Sequence, residues 1–155
     1  MTIDENAFAN CQSLKTITFA DTCKSLTIGY NAFENSNIDT LILPSCEVAL
    51  YDEAFKGSSI KSLQLSANTL IKFVGAPFVD TNKFETISIN GTNPNYEVVN
   101  NMLVNKTQDT LILVPANTIL TIPSTIKTIE SSAVAGNKVT TSLVIPATVT
   151  TIKDF

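Results

Sequence analysis

Two adjacent carboxylate pairs, Asp4-Glu5 and Asp52-Glu53, and three cysteines, Cys11, Cys23 and Cys46, hold most of the reactive chemistry in this 155-residue chain. A carboxylate pair can divide proton transfer between an acid and a base. Both pairs fall in the same polar stretch of a recurring pattern, one position out of phase, however, which reads them as solvated turn residues. The sequence contains no histidine, no arginine and no tryptophan. A Ser-His or Cys-His nucleophile therefore lacks its base, and zinc sites in their common forms lack their ligands. Without arginine there is no bidentate clamp for phosphate or carboxylate. The cysteines are odd in number and lack CxxC spacing. They read as buried or semi-buried free thiols behaving as small hydrophobes, with one disulfide plus one free thiol as the alternative. No catalytic residue, metal site or cofactor is assigned, and the chain is expected not to be an enzyme.

A length of 155 residues with 44% hydrophobic content is enough for the core of one domain. The net charge of −4 is modest, and all 10 basic residues are lysines scattered singly. Nothing in that distribution tracks a phosphate backbone, so nucleic acid is not an expected partner. No apolar run approaches the roughly 18 residues that span a bilayer, and the first residues lack the blocks of a signal peptide. Membrane insertion is not expected of this segment.

The elements that must position any functional residue are repeats. "IDENAF" at 3–8 returns as "IGYNAF" at 28–33, "LYDEAF" at 50–55, "FVGAPF" at 73–78 and "IESSAV" at 129–134. The leading apolar anchors are Ile3, Ile28, Leu50, Phe73, Ile129 and Ile152, spaced 22 to 25 residues apart except for one step of 56, about two periods. A second motif, LxxLxL, follows the first four anchors: Leu14, Ile17, Phe19; Ile38, Leu41, Leu43; Ile60, Leu63, Leu65; Phe84, Ile87, Ile89. Weaker copies are Leu111, Leu113 and Leu143, Ile145, with Gln108 and Thr140 at the leading position.

Alternating apolar residues in a short β-favouring stretch, followed by a turn such as "LPS" at 43–45, read as one strand per repeat. A unit this small cannot bury both motifs alone, so neighbours must stack around one continuous core. The predicted product is a right-handed solenoid of short parallel strands, leucine-rich-repeat-like, with irregular or short helical returning segments. Phe8, Phe33, Phe55 and Phe78 should stack as a column on the returning side.

The residues between the buried positions should tile the outer face of the ladder. One row is Thr16, Thr40, Ser62, Thr86, Thr110 and Ser142; a second is Thr18, Ile42, Gln64, Ser88, Ile112 and Val144. Lys15, Asp39, Lys61, Glu85 and Asp109 precede them, with opposite charges facing across the first three junctions. The hydroxyls either keep a β-face soluble or, with Ile42, Ile112 and Val144, form a broad contact surface. On the second reading Thr16, Thr18, Thr40, Ile42, Lys61, Ser62, Gln64, Thr86, Ser88, Thr110 and Ile112 are the candidate ligand-binding residues. Two sequons, Asn90-Gly91-Thr92 and Asn105-Lys106-Thr107, are glycosylation acceptors if the source secretes through a glycosylating pathway.

The stretches "IDENAFANCQSLKTITF" and "IPATVTTIKDF" resemble the BspA-like class of leucine-rich repeats, over nearly the whole chain. Its repeat is similar to I-x-x-x-A-F-x-x-C-x-x-L-x-x-I-x-I-P, matched in order by Ile3, Ala7, Phe8, Cys11, Leu14, Ile17 and Phe19. At the cysteine position the later copies place Ser36, Ser58, Thr81 and Asn137, small groups suited to a tight corner. Segment 93–117 resembles a hairpin-like variant repeat of such proteins and accounts for the doubled step.

The resemblance implies a binding module of a cell-surface or secreted protein, adhering to a host extracellular or cell-surface protein or glycan through the strand face. An intracellular interaction scaffold is the alternative. The chain begins just before Ile3 and stops at Phe155, so it is expected to be a piece of a longer array that self-associates end to end.

Overall fold

The computed structural model describes residues 1–20 and 22–154; Phe155 lies outside the described residues. Period-two alternation generates two short strands per coil rather than one. Along the anchor side lie β1 (Thr2–Ile3), β3 (Ser25–Ile28), β5 (Glu47–Tyr51) and β7 (Leu70–Val74), parallel and in that order. Along the LxxLxL side lie β2 (Thr16–Ile17), β4 (Thr40–Leu43), β6 (Ser62–Ser66) and β8 (Thr86–Asn90), also parallel. Register follows the repeats: Ile28 opposes Leu50, which opposes Phe73, and Leu41 opposes Leu63, which opposes Ile87. The expected strand ladder is present, but the anchors build a second one of their own.

The return is irregular: among the described residues it contains no helix. Tight turns bend it, and several of their corners need a left-handed backbone. These fall on Asn6, Asn31, Glu53 and Ser132 three residues past an anchor, and on Asn10, Asn35, Gly57, Asp80 and Gly136 seven past. Asparagine, whose short side chain tolerates that conformation, fills four of these nine corners. The return is also bonded from coil to coil: the N–H groups of Phe8, Phe33 and Phe55 donate to Ala32, Ala54 and Pro77 oxygens at 2.7, 2.8 and 2.8 Å.

Inside it the expected phenylalanine column forms. Phe8, Phe33, Phe55 and Phe78 stack with centroid spacings of 5.2, 5.4 and 5.4 Å, and Phe84 closes the column at 5.2 Å from Phe78. Ser36, Ser58 and Thr81 are buried at the corner position of Cys11, as their size predicts.

The core is not continuous. A hairpin, β9 (Tyr96–Val99) and β10 (Met102–Asn105), interrupts the coil, turning at Asn100 and Asn101, both at positive φ as a two-residue hairpin turn requires. β10 is a wall with both faces buried: Leu103 faces the core of the first coils, while Met102 and Val104 face a second cluster with Leu111, Leu120, Ile126 and Ile129. Side chains of the hairpin close the two preceding sheets. The Tyr96 hydroxyl accepts from Ile71 N at 3.3 Å and donates to Ile71 O at 3.1 Å, covering the edge of β7. Asn101 does the same for β8, with its Oδ1 accepting from Ile87 N at 3.0 Å and its amide donating to Glu85 O at 2.6 Å.

Parallel stacking then resumes as β11 (Thr110–Leu113), β12 (Thr128–Ile129) and β13 (Thr151–Ile152). β11 pairs antiparallel with β10, and its Leu111 opposes the anchor Ile129. Leu111 is therefore an anchor, not part of an LxL motif; the buried Leu120 and Ile122 stand 23 residues ahead of Leu143 and Ile145 and take that role.

Candidate functional site

Two outward sheet faces are available. On the LxxLxL side, Thr16, Thr40, Ser62 and Thr86 align across β2, β4, β6 and β8, and Ile42, Gln64 and Ser88 align beside them. The Ser62 hydroxyl donates to Thr40 Oγ1 at 3.0 Å. Thr18 is exposed just past β2, and Ile42 is 42% exposed. The charged row is in register too: Asp39, Lys61 and Glu85 N–H groups donate to the carbonyls of Lys15, Asp39 and Lys61. Lys61 and Asp39 close an ion pair at 3.1 Å.

That pair holds the Asp39 carboxyl below the usual carboxylate range, through the Lys61 hydrogen bond first and its charge second, with desolvation working against both. A carboxyl depressed in the folded state adds stability above its unfolded pKa and loses it as pH falls through the folded value. Asp39→Asn should therefore flatten this part of the acid decline, read as thermal midpoint against pH. The effect should be small, because the pair is exposed.

Two candidate residues do not belong to this face. Thr110 lies in β11, is 4% exposed and donates its hydroxyl to the Gln108 carbonyl. Ile112, on the same strand, is half-buried and packs against the first core cluster. The hydroxyl row thus ends at Thr86, and Asp109 faces Lys127 at 2.7 Å instead of continuing the row from Glu85. Ser142 and Val144 lie outside any strand; Val144 is 81% exposed.

The second face was not foreseen. On the anchor side Thr2, Thr27, Ala49 and Lys72 form one row, and Ser25, Glu47 and Leu70 another. The small Ala49 side chain leaves a trough of about 290 Å³ over β3, β5 and β7, bounded by Ser25, Thr27, Glu47, Leu70 and Lys72. At one end Tyr30 and Tyr51 meet edge to face at 5.2 Å, with Tyr30 46% exposed. Tyr96 being buried, both accessible tyrosines are here. The signal for these strands was the alternation Leu26/Ile28, Val48/Leu50 and Ile71/Phe73; the outward residues repeat no single type, so no row could be read.

The Asp52-Glu53 pair serves its turn. Asp52 Oδ1 accepts from Ala76 N at 2.7 Å, and Glu53 pairs with Lys56 at 2.9 Å. Gly75, at φ 87°, lies so close to Asp52 that a Cβ there would sit 2.5 Å from its Oδ1. Among the described residues no group of three or more His, Cys, Asp or Glu side chains is placed to hold a metal ion, and no helix is long and apolar enough to cross a membrane. Asn90 is exposed at the end of β8, whereas Asn105 is half-buried, its Oδ1 accepting from the hydroxyl and N–H of Thr107 at 2.8 and 3.1 Å. At the first coil Phe8 is 43% exposed and lines an apolar depression of about 400 Å³ with Ile3, Leu14, Ile17 and Phe19; at the other end Leu143, Ile145 and Ile152 are 44, 47 and 58% exposed.

The family model for the BspA type leucine rich repeat region matches in 6 copies over residues 1–106 and 116–155. No curated protein matches. A leucine-rich repeat protein from Eubacterium ventriosum shares the fold with a TM-score of 0.70 at 22% identity, over 99% of this chain and 47% of its own. A leucine rich cell surface protein from Faecalibacterium prausnitzii does so with a TM-score of 0.57 at 20% identity, over 97% of this chain and 54% of its own. The chain spans about half the length of these two structures, and identities this low speak for the fold alone. With the repeat matched over most of its length and its two-strand coil visible in the structure, this chain belongs to the BspA-type leucine-rich repeat family.

Proposed function

We propose that this chain is a non-catalytic protein-binding module of a cell-surface or secreted protein, adhering to a host extracellular or cell-surface protein through its outward strand faces. The observation that carries the reading is the anchor-side face, where paired tyrosines, aliphatic groups and a shallow trough adjoin Glu47 and Lys72. Tyrosine is enriched at binding hot spots because it offers a large rigid surface with one polar end. The LxxLxL face, with Thr16, Thr18, Thr40, Ile42, Lys61, Ser62, Gln64, Thr86 and Ser88, extends the contact with short side chains. A surface of this kind binds weakly per module, on the order of micromolar, and gains from many repeats acting together.

The double variant Tyr30→Ala/Tyr51→Ala should weaken attachment to immobilised extracellular matrix protein about tenfold with an unchanged circular dichroism spectrum. Bulky replacements at Thr40 and Gln64 with Lys61→Glu should weaken it less. Full binding by the tyrosine variant, with loss confined to changes in segment 93–117, would place the site in the hairpin and sink the strand-face reading.

A further inference from the structure

The Sγ atoms of Cys23 and Cys46 lie 2.8 Å apart on adjacent coils. Cys23 sits in the turn before β3 and Cys46 immediately precedes β5, so the β3–β5 ladder, from Ser25 opposite Glu47 to Ile28 opposite Leu50, holds them level. Their backbones are fixed as well. Cys23 N donates to Ala20 O at 3.1 Å, Cys46 N to Pro44 O at 2.9 Å, and Cys46 O accepts from Leu70 N at 3.0 Å. Cys46 is 8% exposed and Cys23 half-buried. A thiol is a weak hydrogen-bond donor and acceptor, which by itself gives little reason for such an approach.

The neighbouring coils show what this column does. Thr69 follows Cys46 in register and donates its hydroxyl to Pro44 O at 2.8 Å; Asn93 follows and donates its amide to Thr69 O at 2.9 Å. Each is a side chain tying one coil to the one before it. At the Cys23–Cys46 step the corresponding tie is made by two sulfurs.

We propose that Cys23 and Cys46 are a disulfide-forming site, a covalent clip that joins the second and third coils when the chain meets an oxidising low-molecular-weight disulfide. The more exposed Cys23 loses its proton to solvent, and its thiolate attacks one sulfur of that disulfide. The small-molecule S–S bond breaks, one thiolate leaves, and a mixed disulfide remains on Cys23. Cys46 then attacks Cys23 Sγ, the mixed bond breaks, and the second thiolate departs with the Cys46 proton. Two protein thiols are oxidised by two electrons, and one disulfide is reduced to two thiols. Burial, with the Cys23 hydrogen bond adding to it, pushes the Cys46 thiol up to about 12. It is therefore not the point of entry, and its proton leaves only as the second bond forms. The clip would close a loop of some 23 residues in the unfolded chain, and it suits an extracellular, oxidising setting.

The test treats the full chain with oxidised glutathione, quenches in acid, alkylates under denaturing conditions and maps peptides by mass spectrometry. The expected result is a Cys23–Cys46 linked peptide with alkyl label on Cys11 alone, reversed by dithiothreitol, and a thermal midpoint about 5 to 10 °C above the reduced form. Cys11→Ser should behave like the parent. Cys46→Ser should stop at a stable glutathione adduct on Cys23, a readout that does not depend on the clip's effect on folding. Linkage through Cys11, or a parent chain that stays fully alkylatable or retains glutathione on Cys23, would overturn the proposal.

Discussion

Phe55→Ala is expected to lower the free energy of unfolding by about 3 to 5 kcal/mol, the range for removing a fully buried ring. Phe55 is 0% exposed and stacked on both sides, by Phe33 and by Phe78 at 5.4 Å each, so neither coil can collapse into the space without breaking its own stack. Phe8, 43% exposed with Phe33 on one side, should cost less than half as much when truncated. Thr40→Ala, on the outer face, should stay within about 0.5 kcal/mol even though it loses the Ser62 hydroxyl contact. Urea midpoints of the three variants check the order. An unchanged Phe55→Ala beside a collapsed Thr40→Ala would reverse inside and outside.

The phenylalanine column was legible because each of the first four coils places a phenylalanine at one phase of the repeat, and a solenoid can stack identical phases only on one another. The same reasoning located the outer residues of β4, β6 and β8, where the repeat is regular. It failed where phase depends on a distant partner. "TLIL" occurs at 40–43 and again at 110–113. In β4 it alternates exposed and buried, with Thr40 outward; in β11 Thr110 and Leu111 are both buried. The four residues are the same, but β11 is set by pairing with β10 and not by a preceding LxxLxL strand. That is why Thr110 and Ile112 leave the candidate face. The anchor-side strands were missed for a related reason: Ile28, Leu50 and Phe73 looked like isolated core residues, and their outward neighbours Thr27, Ala49 and Lys72 share no chemistry that would show as a row. The tyrosine pair was invisible because Tyr30 and Tyr51 hold different places in their repeats and meet only in space.

Tyr96→Phe should cost about 2 kcal/mol, more than the loss of a typical exposed hydroxyl, because it leaves the N–H and C=O of Ile71 without their partner at a buried strand edge. The hairpin thus contributes to stability by finishing two sheets that have no further strand to pair with, Tyr96 on β7 and Asn101 on β8. A pH signature separates this from a packing defect. Burial raises the Tyr96 phenol above its ordinary value, with the Ile71 backbone bond working in the opposite sense. The folded chain therefore holds a proton that the unfolded chain releases near pH 10, so this contribution is full below about pH 10 and is lost as pH rises through the raised folded value. Tyr96→Phe should remove that part of the alkaline decline, seen as a smaller drop in urea midpoint above about pH 10. Amide exchange then localises the effect. In Tyr96→Phe the Ile71 N–H should exchange faster while Ile87 N–H stays protected, and Asn101→Ala should show the reverse, since each side chain closes a different sheet. Equal acceleration of both amides by either change would mean that the hairpin acts as one packed unit, and that neither side chain closes an edge by itself.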